Sequence, residues 1–221
     1  MHLRKQALQV WTMTAKMTPE VFIQEVVEHV KRMMNEHQIA LEQVLGLGIG
    51  AVGPLDRSRG VILEPLHFPA PGWQHVPLCD EFLKQLQIPC ILDNGANAAL
   101  LGEYWSEGAK QYQHALYIHN GVVLRSAVIT NSELVYGAVD MEGAVGQMII
   151  QTDGAAPQSP GGNYGSLEAY VTIHAMEQQA VSYLKQGRSS VMLQWIHDVE
   201  RVRFADMLRA LQHKDHLVTE I

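Results

Sequence analysis

The chain has 221 residues, of which 47% are hydrophobic and 18% charged, and its formal net charge is −7 at neutral pH. That length buries a substantial core, as one large domain or two small ones; the composition excludes disorder, and no apolar run is long enough to span a bilayer. The acidic balance argues against broad binding to a phosphate backbone, which needs clustered Lys and Arg.

In chain order, MHLRKQALQVWTM carries basic residues, but Gln9 and Thr12 interrupt its apolar stretch and no small-residue cleavage site follows, so a cytoplasmic chain is expected. ALQVWTMTA at 7–15 is a candidate strand. TPEVFIQEVVEHVKRMMNEHQ at 18–38 predicts a helix with Thr18 as N-cap, Pro19 in the first turn, and Phe22, Val26, Val27, Val30, Met33 and Met34 on its apolar face. VLGLGIG at 44–50 predicts a strand, completing a strand–helix–strand unit of the kind that builds parallel sheets.

A Gly/Pro/Asp turn, AVGPLDRSRG, leads through an irregular stretch to Trp73, whose expected role is a partly buried aromatic closing a loop. A helix over about 77–87 and a strand at 89–92 come next. The turn DNGANAALLGE at 93–103 runs from that strand into a helix carrying Ala98 to Trp105 and closing at Gly108. In α/β proteins such strand-to-helix turns line the ligand crevice. On residue type alone, Asp93 is a candidate N-cap and Asn94 a candidate left-handed turn residue.

A domain boundary is expected near 108–114. Beyond it, ALYIHNGVVLRSAVITNSELVYG reads as two strands joined at Asn120-Gly121. DGAAPQSPGGNYGS at 153–166 is a loop, and LEAYVTIHAMEQQAVSYLKQ with the remainder reads as helical. Arg201, Arg203 and Arg209 are expected on a solvated helix face.

Several tempting motifs fail on their mechanics. GIGAVG at 48–53 matches a dinucleotide fingerprint, but Pro54, Asp56, Ser58 and Gly60 follow where a helix N-terminus should hold the pyrophosphate. His114 and His119 are accompanied by no HExxH pattern or paired carboxylate, so no metal site is expected. No GxSxG is present, and Cys79 and Cys90 form neither a CxxC pair nor a zinc cage. Glu168, at the start of a helix, is equally readable as a dipole-stabilising first-turn residue or as a ligand contact.

Two stretches, GLGIGAVGPLDRSRGVILEPLHFPAPGWQHVPL and PCILDNGANAALLGEYWSEGA, resemble the ROK family, named for repressors, open reading frames and sugar kinases. NSELVYGA, VGQMII, DG and GSLEAY keep the family's order, so the likeness runs from about residue 7 to about 215. The resemblance is to a degenerate, shortened member of the NagC- and glucokinase-like kind. It implies an α/β, actin-like ATPase (ribonuclease-H-like) duplicated fold, with residues 1–112 as an N-terminal lobe lacking its first strands and 113–221 as a C-terminal lobe lacking its last elements. It also implies a sugar ligand, ATP beside it, and a homo-oligomer, often a dimer.

The departures from that pattern bear on chemistry. The resemblance puts the kinases' general base, an aspartate, at the position of Gly95. It puts a glycine-rich phosphate loop at Gly121, Val122, Val123, Leu124, Arg125, Ser126 and Ala127, whose branched side chains would block a polyphosphate. Its sugar-binding Glu and His fall on Ala144 and Gln147, and its zinc cysteines near Ser159, Gly161 and Ser166. The implied protein is non-catalytic, with neither ATP nor metal as cofactor, and retains Gly53, His67, Asn94 and Glu168 as substrate-binding residues. The alternatives are a sugar kinase with displaced groups, Asp93 acting as base, and a transcriptional regulator acting with a partner. Direct nucleic-acid binding and membrane association are not expected.

Overall fold

A computed structural model of the protein describes residues 7–65, 68–106, 111–121, 123–137, 144–157 and 161–221. Two compact units result, Met1–Gln111 with Tyr136–Met141, and Tyr112–Val135 with Glu142–Ile221. No helix among the described residues is long and apolar enough to cross a membrane.

In the first unit, α1 (Pro19–Glu36) begins as expected, with Thr18 capping through its side chain to the Val21 N–H and Pro19 in the first turn. Its most buried apolar residues are Ile23 and Val27, with Phe22, Val26, Val30 and Met34 packed beside them. The sequence pattern omitted Ile23, which lies three before Val26 and four before Val27 on the same stripe.

Residues 7–15 do not form the expected strand. Strand conformation persists through a ladder, and this segment acquires no partner; Leu8 and Val10 stay exposed. The parallel pair is instead β1 (Leu47–Ala51) with β4 (Cys90–Asn94), from Leu47↔Cys90 to Ala51↔Asn94. Between them lie the short antiparallel pair β2 (Leu55–Asp56) and β3 (Val61–Ile62), then α2 (Leu78–Leu86). The GIGAVG glycines thus sit in β1 and a turn, with no helix after them.

The core here joins Ile23, Val27, Ile62, Trp73, Leu78, Phe82, Ile88 and Leu92. Trp73 is buried, donates its indole N–H to Met17 O at 2.9 Å, and meets Phe22 and Phe68 edge-on. Its loop-closing role is the one expected. Cys90 is packed against this core, and burial together with the neighbouring Cys79 thiol pushes its own thiol up to about 12.

Helix α3 is Gly95–Trp105, so it starts three residues before Ala98. Ala96, Leu100 and Tyr104, spaced by four, make its buried stripe. Gly50 allows α3 to lie close over β1: a Cβ there would stand 3.0 Å from the Ala98 Cβ.

In the second unit, β5 (Ala115–Asn120), β6 (Leu124–Thr130) and β7 (Glu133–Leu134) form an antiparallel meander, three strands where the sequence reading had two. The extra turn comes from Asn131 and Ser132, both at positive φ (51° and 66°), a primed hairpin that serine disguises. The predicted long helix breaks at Thr172 into α4 (Glu168–Val171) and α5 (Ile173–Lys185). Thr172 has extended backbone and caps α5 by accepting from Ala175 N. The helices α6 (Phe204–Gln212) and α7 (His216–Glu220) close a second core of Ala180, Val181, Leu184, Met192, Val202, Met207 and Leu217. The three arginines assigned to a solvated face, Arg201, Arg203 and Arg209, are exposed, and Arg209 also lies 4.1 Å over the Trp195 ring.

Candidate ligand sites at the strand-to-helix turn and at Glu168

The parallel pairing of β1 and β4 brings the end of β4 beside the turn that carries Gly53. Gly53 follows Ala51, the register partner of Asn94, by two residues and is half-buried before a cis bond to Pro54. His67 lies outside the described residues.

Asn94, rather than Asp93, is the N-cap of α3. Its φ of −64° and ψ of 140° are extended, not left-handed, and its Oδ1 accepts from Ala96 N at 2.9 Å. The physical reason is register: β4 runs two residues further than the sequence suggested, so the first helical residue is Gly95. A Cβ at Gly95 would meet only Ala51 O, at an ordinary 3.6 Å, so this backbone does not require glycine.

Asp93 is the most heavily engaged carboxylate of the turn. Oδ1 accepts from Asn94 N at 2.6 Å and from Asn97 Nδ2 at 2.9 Å. Oδ2 accepts from the Tyr136 hydroxyl at 2.8 Å. Arg57 stands 3.9 Å from Oδ1 and lies 3.9 Å over the Tyr136 ring. Asp93, Arg57 and Tyr136 border an open cleft of about 850 Å³ with Leu55, Asp56 and Ser58. The Ser58 hydroxyl and the Arg59 N–H bind the Asp56 carboxylate and hold it below its usual range. Tyr136 and Arg57 were not singled out from the sequence. The Asp93–Asn97 pair has a four-residue signal across the turn, whereas Tyr136 is 43 residues from Asp93 and leaves none.

In the second unit, Glu168 is the first residue of α4 and is only 6% exposed. Its Oε1 accepts from Gln147 Nε2 at 3.0 Å and its Oε2 from Leu124 N at 3.4 Å. Gly146 is pressed between these groups: a Cβ would be 2.7 Å from Leu124 O and 3.0 Å from Glu168 Oε2. Only glycine fits that approach. Glu168 is therefore more than a first-turn acid; it is a buried carboxylate built into a polar cluster.

The residues at the positions where the resemblance implies zinc and ATP do not fit either group. Gln147, Gly161 and Ser166 offer no thiolate or imidazole, and no cluster of three or more His, Cys, Asp or Glu among the described residues could hold a metal. At the implied phosphate loop, Leu124 to Ala127 are paired in register with Tyr117 to Asn120 of β5, as a ladder rather than an open turn of free amides.

Comparison with known proteins places these sites in context. The ROK family model matches residues 1–214. A glucokinase of Thermotoga maritima is 26% identical over 209 residues, 93% of this chain and 65% of that protein. A glucokinase of Halalkalibacterium halodurans is 27% identical over 73% of this chain and 52% of its own length. A xylose repressor of Caldicellulosiruptor bescii is 30% identical over 69% of this chain and 37% of its own. The chain thus spans between about a third and two thirds of these relatives.

Among solved structures, a ROK family transcriptional regulator homologous to the E. coli MLC protein superposes with a TM-score of 0.77 at 18% identity, covering 92% of this chain and 49% of that one. A ROK hexokinase from Thermus thermophilus gives 0.72 at 24%, covering 94% and 62%. These likenesses show the expected α/β actin-like ATPase fold. The expectation against direct nucleic-acid binding finds no support, since relatives include repressors. An acidic total charge describes the chain as a whole and does not speak for assemblies or additional segments. The described geometry and the match over nearly the whole length agree: this chain belongs to the ROK family.

Proposed function

We propose that this chain is a carbohydrate-responsive regulatory module of the ROK family that does not carry out phosphoryl transfer. The observation that carries the reading is Gly95 as the first residue of α3, at the position the resemblance gives to the general base, beside an Asp93 whose carboxylate already accepts three hydrogen bonds. A base must have an oxygen lone pair directed at the proton it removes. Asn94, Asn97 and Tyr136 take three of the roughly four lone-pair directions of Asp93, which counts against the alternative of a kinase using Asp93 as a displaced base. Repressors among the relatives support a regulatory role for this module, as the glucokinases among them support the kinase alternative.

Gly53, His67, Asn94 and Glu168 are the residues proposed to meet sugar hydroxyls. Glu168 keeps acceptor capacity beyond its two partners, since a carboxylate has about four lone-pair directions. The units are read as two lobes, 1–112 and 113–221, in a homo-oligomer. The test is ATP-dependent phosphorylation across hexoses and N-acetylhexosamines, paired with thermal shift for each sugar with and without ATP. A sugar-dependent rise that ATP does not change supports the reading. Turnover that falls on Glu168→Gln overturns it.

A further inference from the structure

The loop following the 3-10 turn Val145–Gln147 is rich in turn formers, yet its far end is fastened back to its start. Ile150 N donates to Gly165 O at 2.9 Å, Gly165 N to Ala155 O at 2.8 Å, and Leu167 N to Met148 O at 2.9 Å. The Tyr170 hydroxyl accepts from Ala155 N at 2.8 Å and donates to Gln151 Oε1 at 3.0 Å. Gly165 has φ +65°, and a Cβ there would fall 1.6 Å from Gln151 O, so the backbone approach is as close as glycine permits.

Gln147 stands at the centre of this closure. Its Oε1 accepts from Asn163 N at 3.0 Å, and its backbone oxygen accepts from Asn163 Nδ2 at 2.9 Å. Its Nε2 donates to Glu168 Oε1 at 3.0 Å. One planar amide therefore serves two partners: its acceptor end meets the Asn163 N–H and its donor end the Glu168 carboxylate. Flipping the amide would set oxygen against oxygen and N–H against N–H, losing both bonds together.

We propose that Gln147 is a positioning residue that couples the orientation of the Glu168 carboxylate to the placement of Asn163, holding without metal what the resemblance would hold with zinc. The functional consequence rests on the reading of Glu168 as a sugar contact: a polyhydroxylated ligand bound through Glu168 tightens the Gln147–Asn163 pair, and loss of that pair releases the carboxylate.

The clasp is tested in the sugar-free protein by amide hydrogen exchange at Asn163, corrected for the intrinsic rate. Gln147→Leu removes both ends and should speed exchange at least about tenfold. Gln147→Glu is the discriminating variant, because it keeps an acceptor for Asn163 N while its ionised form loses the donor to Glu168 and faces a like charge. Glu168 is the ionisable group to which Gln147 hydrogen-bonds, and Tyr170 fastens the same loop nearby. Coupling predicts fast Asn163 exchange in Gln147→Glu at neutral pH and return toward wild type below the carboxylate range, where a protonated side chain donates again. Wild-type protection of Asn163 in Gln147→Glu at neutral pH would overturn the coupling. Loss of wild-type protection on adding a chelator would overturn the metal-free clasp. Asn163→Pro, which removes the N–H given to Gln147 Oε1 and leaves the Gln147–Glu168 bond in place, should reduce the sugar-induced thermal shift, and an unchanged shift counts against the coupling. A wild-type protein with no sugar response would remove the sensing reading while leaving the exchange result standing.

Discussion

Restoring a carboxylate at Gly95 separates structural tolerance from catalytic competence. In Gly95→Asp the new Cβ meets only Ala51 O at 3.6 Å, and the residue opens α3, where α-helical backbone suits any L residue. Replacing glycine at a compatible position stabilises by about 0.4–1 kcal/mol through the unfolded chain. An acid in the first turn adds about 0.3–1 kcal/mol from the helix dipole. Repulsion from Asp93, two residues away, offsets roughly 0.2–0.5 kcal/mol, because Asn97, Tyr136 and nearby Arg57 already engage that carboxylate. The net is a gain of about 0.5–1.5 kcal/mol, or roughly 1–6 °C in a thermal melt for a chain of this size. The same variant should show no ATP-dependent sugar phosphorylation, since Leu124 to Ala127 of the implied phosphate loop are paired as a strand with β5 and the Leu124 N–H is given to Glu168. A fall in melting temperature would refute the steric reasoning. Appearance of turnover would refute the loss of the nucleotide site.

Trp73→Ala should cost about 3–5 kcal/mol in denaturant unfolding, since it empties a buried aromatic site and orphans the Met17 carbonyl; Trp73→Phe should cost distinctly less. Asp215 caps α7 through Val218 N and accepts from Val191 N at 2.7 Å; burial would raise its carboxyl, but these bonds bring it below the usual value. A depressed folded value means its stabilisation is full above the unfolded pKa of about 3.9 and is lost as pH falls through the folded one. Asp215→Asn should therefore flatten the acid limb of the stability–pH curve below about pH 4; an unchanged limb would contradict this. At pH 8, Cys90 in the native protein should alkylate with iodoacetamide on the order of 10³-fold more slowly than a free cysteine peptide, in proportion to its smaller thiolate fraction. A peptide-like rate would show that the thiol is not held up by burial.

The local signals read well where one segment supplied all the chemistry. Thr18 and Pro19 start α1, the apolar run before Asp93 forms β4, and Asn120-Gly121 turns β5 into β6. Readings failed where a distant partner decided the outcome. Residues 7–15 have strand-like composition but acquire no ladder, and α3 begins at Gly95 because β4 stays paired with β1 through Asn94. The break at Thr172 was missed because its hydroxyl serves both segments, donating to Glu168 O and accepting from Ala175 N.

The same division holds for the candidate sites. Sequence by itself determined which groups are present: no carboxylate at Gly95, no thiolate at Gly161 or Ser166, an amide at 147 and an acid at 168. Only the tertiary structure decided what those groups do, because hydrogen bonds between Tyr136 and Asp93, 43 residues apart, and between Gln147 and Glu168, 21 apart, depend on how separate elements are packed. Residue identity limits the chemistry a position can offer, whereas the direction of a lone pair is set by neighbours that chain order does not reveal.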